Sequence, residues 1–396
     1  MQQQQWVGRV LVVLASMVVG CGVGDHAIAS GTTATEEGTE SSSDSSSGDP
    51  GVPPGGGSVP GAPRYTQFVV VRFDDGRETW SLVGPANQVG TAAALDPNGD
   101  VLLTVHPDDE RYDSHLARIS DGVVVDEVAL DGAVLLGSLA VDAQRRVHAA
   151  GLFRDRPGYV AFDSSFEEAW PRNYTGYAPN SEVRLAVGAD GSIVYAGWSS
   201  DISGPALTKL DSEGDVLWSV PRPGLSAAPA DARISGLAAG PDGTVVMAMT
   251  TGGEDSVKLW LDAFAPDGTP SWADERESTG DGGITVDAAG NFVVSGVETL
   301  TEPVVFTVHL WLAAYDAAGT VVWEARSEDV GFGPIHSCGE GVVVTHRQGA
   351  GATVYGAQGQ AGERVVYEGE GLLRGLESFC TSDGGIILVG RSTVSE

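Results

Sequence analysis

The residue types that most often carry catalysis or metal binding are scattered through this sequence. Its 7 histidines have no H-E-x-x-H or Cys-x-x-Cys partner, the spacings that zinc sites use. Segments such as PNGD and PDGT place acids beside glycine, but they stand between two apolar runs and lack EF-hand spacing. No G-x-S-x-G elbow, Walker loop or G-x-G-x-x-G occurs. These missing motifs lead us to predict no metal site and no cofactor. We assign no catalytic residue, because no acidic pair can be chosen among the 54 acidic residues.

The charge balance excludes some classes of partner. The chain carries 54 acidic residues against 22 Lys plus Arg, a formal net charge of −32. Nucleic-acid binding needs a basic surface that displaces counterions from phosphates. Electrostatic attraction to anionic lipid also needs a basic surface. We therefore predict no nucleic-acid partner and no electrostatic docking on anionic lipid. At 396 residues the chain also exceeds the roughly 250–300 residues of a single core, so several domains or a repeat array are expected.

The first residues form a targeting segment. Residues 1–9 carry one basic residue and no acid, residues 10–19 are apolar, and Val-Val-Gly-Cys ends at Cys21. The apolar stretch is too short to span a bilayer as a stable helix. This order resembles a bacterial lipoprotein signal peptide, which implies cleavage before Cys21 and acylation of its thiol and its new amine. Gly22 in place of Asp implies the outer membrane. An ordinary secretory signal or an uncleaved anchor helix remains the alternative.

The chain divides into three segments by composition. Residues 1–20 are the predicted signal peptide, residues 21–64 hold the lipidated cysteine and a tether, and residues 65–396 form the folded domain. The tether, rich in Ser, Gly, Pro and acids, has no aromatic residue, Leu or Ile over 31–64. Such a segment cannot bury enough apolar surface to offset its ordering entropy, so we predict a disordered linker.

The folded domain consists of two alternating repeats. The first joins two apolar runs through Asp or Gly turn residues, which is typical of a tight β-hairpin. Its copies are AALDPNGDVLLTV (93–105), LAVDAQRRVHAAG (139–151), LAVGADGSIVYAG (185–197), LAAGPDGTVVMAM (237–249), ITVDAAGNFVVSG (284–296) and two weaker ones, 335–346 and 378–390. The second is also strand, turn and strand, and has copies at 68–80, 116–128, 159–170, 207–218, 261–272, 312–323 and 353–367.

Seven copies of each repeat predict seven four-stranded units over residues 68–396, about 47 residues each. Units of this size with periodic glycine and aromatic residues indicate an all-β fold, a seven-bladed β-propeller. A solenoid of flat β-coils is the alternative, although its repeats are shorter.

The order of the repeats predicts how the ring closes. The first repeat resembles the inner strand pair of NHL and quinoprotein-like propellers, and the second resembles the outer pair. Because the chain starts with an outer pair and finishes with an inner pair, the N-terminal strands should complete the last blade. In the alternative, each outer pair belongs with the inner pair that follows it. Five recurrent tryptophans resemble the residues that pack between blades in quinoprotein propellers: Trp80, Trp170, Trp218, Trp272 and Trp323.

Two cysteines occupy similar positions in the last two inner repeats. In an exported protein, Cys338 and Cys380 are expected to pair. Equivalent positions in adjacent blades could approach within the roughly 4.4–6.8 Å between Cα atoms that a disulfide requires. Two separate buried thiols are the alternative.

A candidate binding face lies on the connections from inner to outer pairs, which should all emerge on one side of the ring. The connection 106–115 holds the densest charge cluster of the folded domain. The residues of this predicted face are Asp108, Asp109, Glu110, Arg111, Asp113, Arg154 and Trp198. A solvated loop is the alternative.

The whole chain resembles the repeat-containing bacterial lipoproteins with NHL-like, delta-60-like and quinoprotein-like repeats. This resemblance specifies a fold and not a chemistry. Our leading hypothesis is a monomeric, non-catalytic binding or scaffold propeller at the cell envelope, held to the membrane by lipid alone, with a protein or glycan partner. The competing class is an enzyme, a glycan lyase or hydrolase that uses two acids about 5–9.5 Å apart in the propeller funnel.

Overall fold

The computed structural model describes residues 64–107, 114–130, 133–153, 156–174, 183–199, 204–221, 232–250, 257–278, 280, 282–301, 306–327, 333–346, 351–369 and 372–395. The predicted signal peptide, Cys21 and nearly all of the predicted tether lie outside these residues. The tether was predicted to extend to residue 64, whereas the first strand already begins at Arg64. Within the described ranges, no helix has the length and apolar character needed to cross a membrane.

The described residues form antiparallel strands joined by short turns. The strands of the first half are β1 (Arg64–Asp74), β2 (Arg77–Val83), β3 (Gln88–Leu95), β4 (Val101–Pro107), β5 (His115–Ser120), β6 (Val123–Ala129), β7 (Ala133–Val141), β8 (Val147–Phe153), β9 (Arg156–Phe162), β10 (Glu168–Tyr174), β11 (Arg184–Val187), β12 (Ile193–Ser199), β13 (Gly204–Leu210) and β14 (Val216–Pro221). Those of the second half are β15 (Arg233–Ala239), β16 (Val245–Thr250), β17 (Val257–Phe264), β18 (Pro270–Ser278), β19 (Gly283–Val286), β20 (Phe292–Thr301), β21 (Phe306–Tyr315), β22 (Val321–Ser327), β23 (Ile335–Cys338), β24 (Gly341–His346), β25 (Gly351–Tyr355), β26 (Ala361–Val366), β27 (Leu372–Cys380) and β28 (Ile386–Ser395).

These described strands form five separate four-stranded sheets and one eight-stranded sheet. The four-stranded sheets are β7–β10, β11–β14, β15–β18, β19–β22 and β23–β26. The first strand of each four-stranded sheet contacts the first strand of the next sheet. Strands β3 and β27 of the eight-stranded sheet complete the series, which runs β3, β7, β11, β15, β19, β23, β27 and returns to β3. We call these the innermost strands. Four-stranded sheets arranged around a common axis are a β-propeller, so the all-β propeller prediction is confirmed.

The eight-stranded sheet brings the two ends of the described chain together. Its order is β27-β28-β1-β3-β4-β5-β6, and β2 pairs with β1. Strand β1 pairs antiparallel with β28 from Arg64 opposite Ser395 to Phe73 opposite Ile386. By contrast, β1 meets β3 through a single parallel pair, Gln67 with Gln88. The predicted pairing between the first and last strands is therefore present.

One turn geometry recurs at the hairpins. The Asp96 amide donates to the Asp100 carbonyl at 2.9 Å, and the Gly99 amide donates back to the Asp96 carbonyl at 2.9 Å. The Asp96 Oδ1 atom also accepts the amides of Asn98 and Asp100. Gly99 has a φ of 90°, which glycine adopts without steric cost. The same pair of backbone bonds recurs at turns that begin at Asp142, Asp163, Gly188, Asp211, Gly240, Ala265, Asp287, Asp316, Gly356 and Thr381. The Asp/Gly hairpins predicted from the repeats are confirmed.

The strands that follow the innermost ones are buried on both faces. All residues of β16 and β24 are buried, whereas exposed and half-buried residues alternate along the outermost strands β6 and β22. This difference arises because a middle strand is covered by the sheets on either side, while an outermost strand faces solvent.

The recurrent tryptophans pack between neighbouring sheets. Trp272 Nε1 donates to the Ala317 carbonyl at 3.1 Å, and a Cβ atom on Gly319 would lie 2.6 Å from the Trp272 ring. Glycine is therefore required at that turn both for its φ of 81° and for the close approach of the ring. The same contact joins Trp80 to Gly122, Trp218 to Gly268 and Trp323 to Gly359. The predicted packing is confirmed at these four positions, and the Trp170 side chain lies outside the described structure.

The predicted disulfide joins two adjacent innermost strands. Cys338 ends β23 and Cys380 ends β27, and the two are bonded with 5.1 Å between their Cα atoms. A hydrogen bond between the Thr345 and Ser378 hydroxyls, 2.7 Å long, lies in the same interface. The bond thus fastens the β23–β26 sheet to the sheet that contains both chain ends.

Candidate functional site

Most of the predicted binding face falls outside the described residues. Asp108, Asp109, Glu110, Arg111, Asp113 and Arg154 lie in undescribed connections. Trp198 lies on β12, opposite Pro205, but its side chain is not described. The predicted face therefore stays a prediction, and the site described below is a different one.

An open cavity of about 580 Å³ lies at the axis, and every innermost strand lines it. We call it the axial cavity. In β11, β15, β19 and β23 the lining begins at or just before the start of the strand, for example at Arg184 and Arg233, whereas in β3, β7 and β27 it lies in the middle. Thr91, Ser138 and Ser235 also line the cavity, although the Ser235 hydroxyl itself is buried. A cavity of this size is within the range of small-molecule binding sites, about 300–1,000 Å³.

Backbone bulges position part of this lining. Four innermost strands each have a register change at a residue of the cavity wall: Thr91, Gly137, Ser235 and Leu376. Strand β7 has a second register change, at Val134, away from the wall. A bulge places an extra residue in one strand and turns its side chain away from the regular alternation. The axial end of each blade is therefore irregular where the cavity forms.

The cavity wall is strongly basic in an acidic protein. Among the described lining residues there are four arginines and one glutamate, a formal charge of +3 when histidine is counted as neutral, whereas the whole chain has a net charge of −32. The five residues are Arg184, Arg233, Arg374, Arg391 and Glu377.

Two of these arginines stand directly opposite each other. Arg374 on β27 pairs across the strands with Arg391 on β28. Side chains at directly opposed positions share one face of the sheet, and like charges there are destabilising. Neither arginine has a hydrogen-bond or ion-pair partner among the residues that the structure describes. Their guanidinium donors therefore remain available to a ligand.

The other two arginines come from neighbouring blades. Arg184 Nη1 donates to the Gly137 carbonyl at 3.0 Å, which holds its side chain across the gap between β11 and β7. Arg233 is exposed at the start of β15, opposite Thr250, and has no polar partner within the described ranges. Arg184 is thus partly held in place, whereas Arg233 is open to the cavity.

The one described carboxylate of the cavity is already paired. Glu377 Oε2 lies 2.7 Å from His336 Nε2, and the His336 ring packs against Phe379 at 4.5 Å between centroids. An enzyme of the predicted alternative class needs two acids flanking the bond that it cleaves, and the described wall offers Glu377 alone. In the described part of the chain, no group of three or more His, Cys, Asp or Glu could hold a metal ion.

A second polar network is buried away from the cavity. His148 is fully buried, with Nε2 3.0 Å from Asp142 Oδ2 and Nδ1 2.8 Å from the Tyr159 hydroxyl. Arg146 Nε donates to the same Asp142 oxygen at 2.6 Å. Burial lowers the pKa of His148 and raises the pKa of Tyr159, so both side chains are neutral at neutral pH. Because His148 is inaccessible to any dissolved substrate, we assign this network a structural role.

No sequence motif marks any of the cavity arginines. One signal was present, because Arg233 and Arg374 both stand seven positions before the residue that opens the next turn, Gly240 and Thr381. The chain has only 22 basic residues. An alignment of the repeats would therefore have shown that two of them recur at the same repeat position.

Comparison with known proteins finds likenesses among solved structures alone. No family model matches the chain, and no curated protein matches it in sequence. Among solved structures, the Dos1 propeller is 10% identical, with 81% of this chain and 94% of that chain covered and a TM-score of 0.46. A protein from Lactobacillus plantarum is 13% identical, covering 76% and 96%, with a TM-score of 0.46. A gluconolactonase from Xanthomonas campestris is 16% identical, covering 76% and 86%, with a TM-score of 0.39. With TM-scores below 0.5, these likenesses carry no argument about the fold or the function of this chain.

Proposed function

We propose that this protein is a non-catalytic binding propeller at the bacterial cell envelope whose axial cavity takes a small polar molecule or the end of a glycan chain. The observation that supports this proposal is the open cavity of about 580 Å³ lined by every innermost strand. Propeller blades ordinarily surround a central channel, and the arginines and hydroxyl-bearing residues that line this one favour a polar ligand.

The proposal includes a ring of seven blades. The eight-stranded sheet contains two groups of four, β27-β28-β1-β2 and β3–β6, which are joined by one backbone bridge pair. A single bridge is far weaker than the ten pairs between β1 and β28, so we count these groups as two blades. Together with the five separate sheets they account for the seven innermost strands that line the cavity.

Binding is favoured over catalysis by the composition of the cavity wall. Its one described carboxylate, Glu377, is paired with His336, so a second acid at glycosidase distance is missing from the described wall. The glycan lyase or hydrolase class is therefore the weaker candidate.

A screen with two matched tryptophan variants tests the binding function. Leu376→Trp introduces a large side chain into the cavity wall, and Val322→Trp adds the same side chain on the exposed outermost strand β22. A thermal-shift screen of saccharides, organic acids and peptides should find ligands that raise the melting temperature of the wild type and of Val322→Trp but not of Leu376→Trp. Ligands that stabilise all three proteins equally would place the binding site elsewhere.

The lipid anchor is tested separately. We expect Cys21→Ala to move the protein from the detergent phase to the aqueous phase in a phase-partition experiment, because the acyl chains need the thiol of this residue. Cys380→Ser is the matched control and should leave partition unchanged. Unchanged partition of Cys21→Ala would exclude the anchor.

A further inference from the structure

We propose that the ligand of the axial cavity is a small organic dianion, with two carboxylate or phosphate groups at its two ends. This inference rests on the proposed binding function and specifies its ligand class. It starts from the contrast between the cavity wall, with four arginines to one glutamate, and a chain that has more than two acids for every basic residue. A wall of average composition would be acidic, so the basic lining is specific to this place.

The opposed arginines form the first pole of the site. Arg374 and Arg391 face each other across β27 and β28 without a partner among the described residues. Two guanidinium groups side by side repel one another, and an oxyanion placed between them removes this repulsion and accepts charge-assisted hydrogen bonds from both. Guanidinium groups match the geometry of carboxylate and phosphate, which they bind in a bidentate manner.

The second pole lies across the cavity. Arg184 and Arg233 are on β11 and β15, which are adjacent in the ring, whereas β19 and β23 stand between β15 and β27. The four arginines are therefore grouped in two pairs on different parts of the wall. Arg233 has no polar partner among the described residues, whereas Arg184 already donates to the Gly137 carbonyl. A ligand with a single charge would reach the first pole only, and a ligand with separated charges would also reach Arg233.

The acidic exterior does not prevent an anion from entering. The net charge of −32 repels anions at long range, but at physiological ionic strength charges separated by more than about 8 Å are largely screened. Within the cavity, the nearest charges decide the potential, and those are the arginines. Hydroxyl groups of Thr91 and Ser138 in the wall suit the polar middle of such a ligand.

Isothermal titration of the full-length protein in detergent tests this inference with four probes. Galactarate is a six-carbon dicarboxylate, galactonate has one carboxylate, galactitol has none, and fructose 1,6-bisphosphate carries two separated phosphates. We expect galactarate or the bisphosphate to bind with one site per chain, galactonate more weakly, and galactitol not at all. The preference between galactarate and the bisphosphate then identifies the charged group as carboxylate or phosphate.

Charge variants locate the site. Arg374→Ala and Arg391→Ala should each weaken binding by about 10- to 100-fold, the loss expected for one charge-assisted hydrogen bond. Glu377→Gln removes the negative charge of the wall and should strengthen binding. Arg77→Ala and Arg326→Ala are the controls, since both residues lie on outermost strands, β2 and β22. Circular dichroism melting confirms that each variant folds.

The outcomes separate this inference from the proposed function. If galactitol bound tightly and Leu376→Trp abolished that binding, the proposed dianion would be wrong, but the proposed binding cavity would stand. The dianion proposal would also be wrong if the dianions bound equally well to the wild type and to the arginine variants. If none of the charged probes binds at millimolar concentration, the dianion is wrong, and the broader screen with Leu376→Trp then decides the binding function itself.

Discussion

Reduction of the Cys338–Cys380 bond should lower the melting temperature of the folded domain by a few degrees. The bond joins residues 42 positions apart in sequence, and chain entropy for a loop of this size gives about 4 kcal/mol, with about 2–4 kcal/mol typical of measured disulfides. Unfolding entropy is roughly 2.1 cal/mol/K per residue, or about 0.7 kcal/mol/K for a domain of about 330 residues. The expected decrease is therefore about 3–6 °C.

Because of its position, the disulfide bond is expected to affect the stability of the whole folded domain. Cys338 and Cys380 end adjacent innermost strands, and the second of these belongs to the sheet in which β28 pairs with β1. The bond therefore restrains the place where the ring closes. Each blade of a propeller packs only against its two neighbours, so a weakened closure affects the whole ring.

Differential scanning calorimetry with and without reducing agent measures the shift. The double variant Cys338→Ser with Cys380→Ser should melt where the reduced wild type melts and should not respond to reducing agent. Thiol titration of the unfolded, unreduced protein should detect neither of these cysteines. A wild-type melting temperature that reduction leaves unchanged would refute the reasoning, because the closure would then be stable without the bond.

Three further predictions follow from the described contacts. Deletion of residues 65–81 should cause aggregation in size-exclusion chromatography, because β28 loses its partner and becomes an unpaired edge, whereas deletion of 31–60 should leave a monomer with the wild-type melting temperature. Trp272 is half-buried, so Trp272→Ala should destabilise the domain in urea by about 1–3 kcal/mol, less than the roughly 3–5 kcal/mol of a fully buried tryptophan. Trp272→Phe keeps an aromatic ring but loses the hydrogen bond to the Ala317 carbonyl and part of the ring contact, and should have a smaller effect, of at least about 1 kcal/mol. Burial lowers the pKa of His148 below its ordinary 6.5, so the unfolded chain binds more protons just below that pH and the melting temperature should fall as the pH decreases from about 6.5. His148→Gln should reduce this pH dependence, and an unchanged slope would assign it to other groups.

The arrangement of the strands could be predicted because its signals are local. A turn such as that of Asp96 needs a particular backbone conformation at Gly99 and an acceptor at its first residue, and both requirements are visible in the residue types. Repetition of that turn then specifies strand pairs at regular intervals. The order of the pairs was enough to predict that β1 meets β28, since a ring has to close.

The cavity could not be predicted because its wall departs from regular alternation. In a regular strand, every second side chain points to the same face of the sheet. The number of residues between an arginine and the next turn would then predict the face to which that arginine points. The bulges at Ser235 and Leu376 interrupt that count within the strands that carry Arg233 and Arg374. A single inserted residue reverses the facing of all residues beyond it. The repeats therefore indicate where the strands are, but not which side chains reach the axis.

The net charge of the chain also obscures the site. A value of −32 describes the potential far from the protein, and it supports the prediction that polyanions such as nucleic acids are not partners. The charge that a small ligand meets is set within about one Debye length, about 8 Å in physiological salt. Within the described wall of the axial cavity that charge is positive. Acids on the outer strands and arginines at the axis thus allow one chain to repel large anions and still hold a small one.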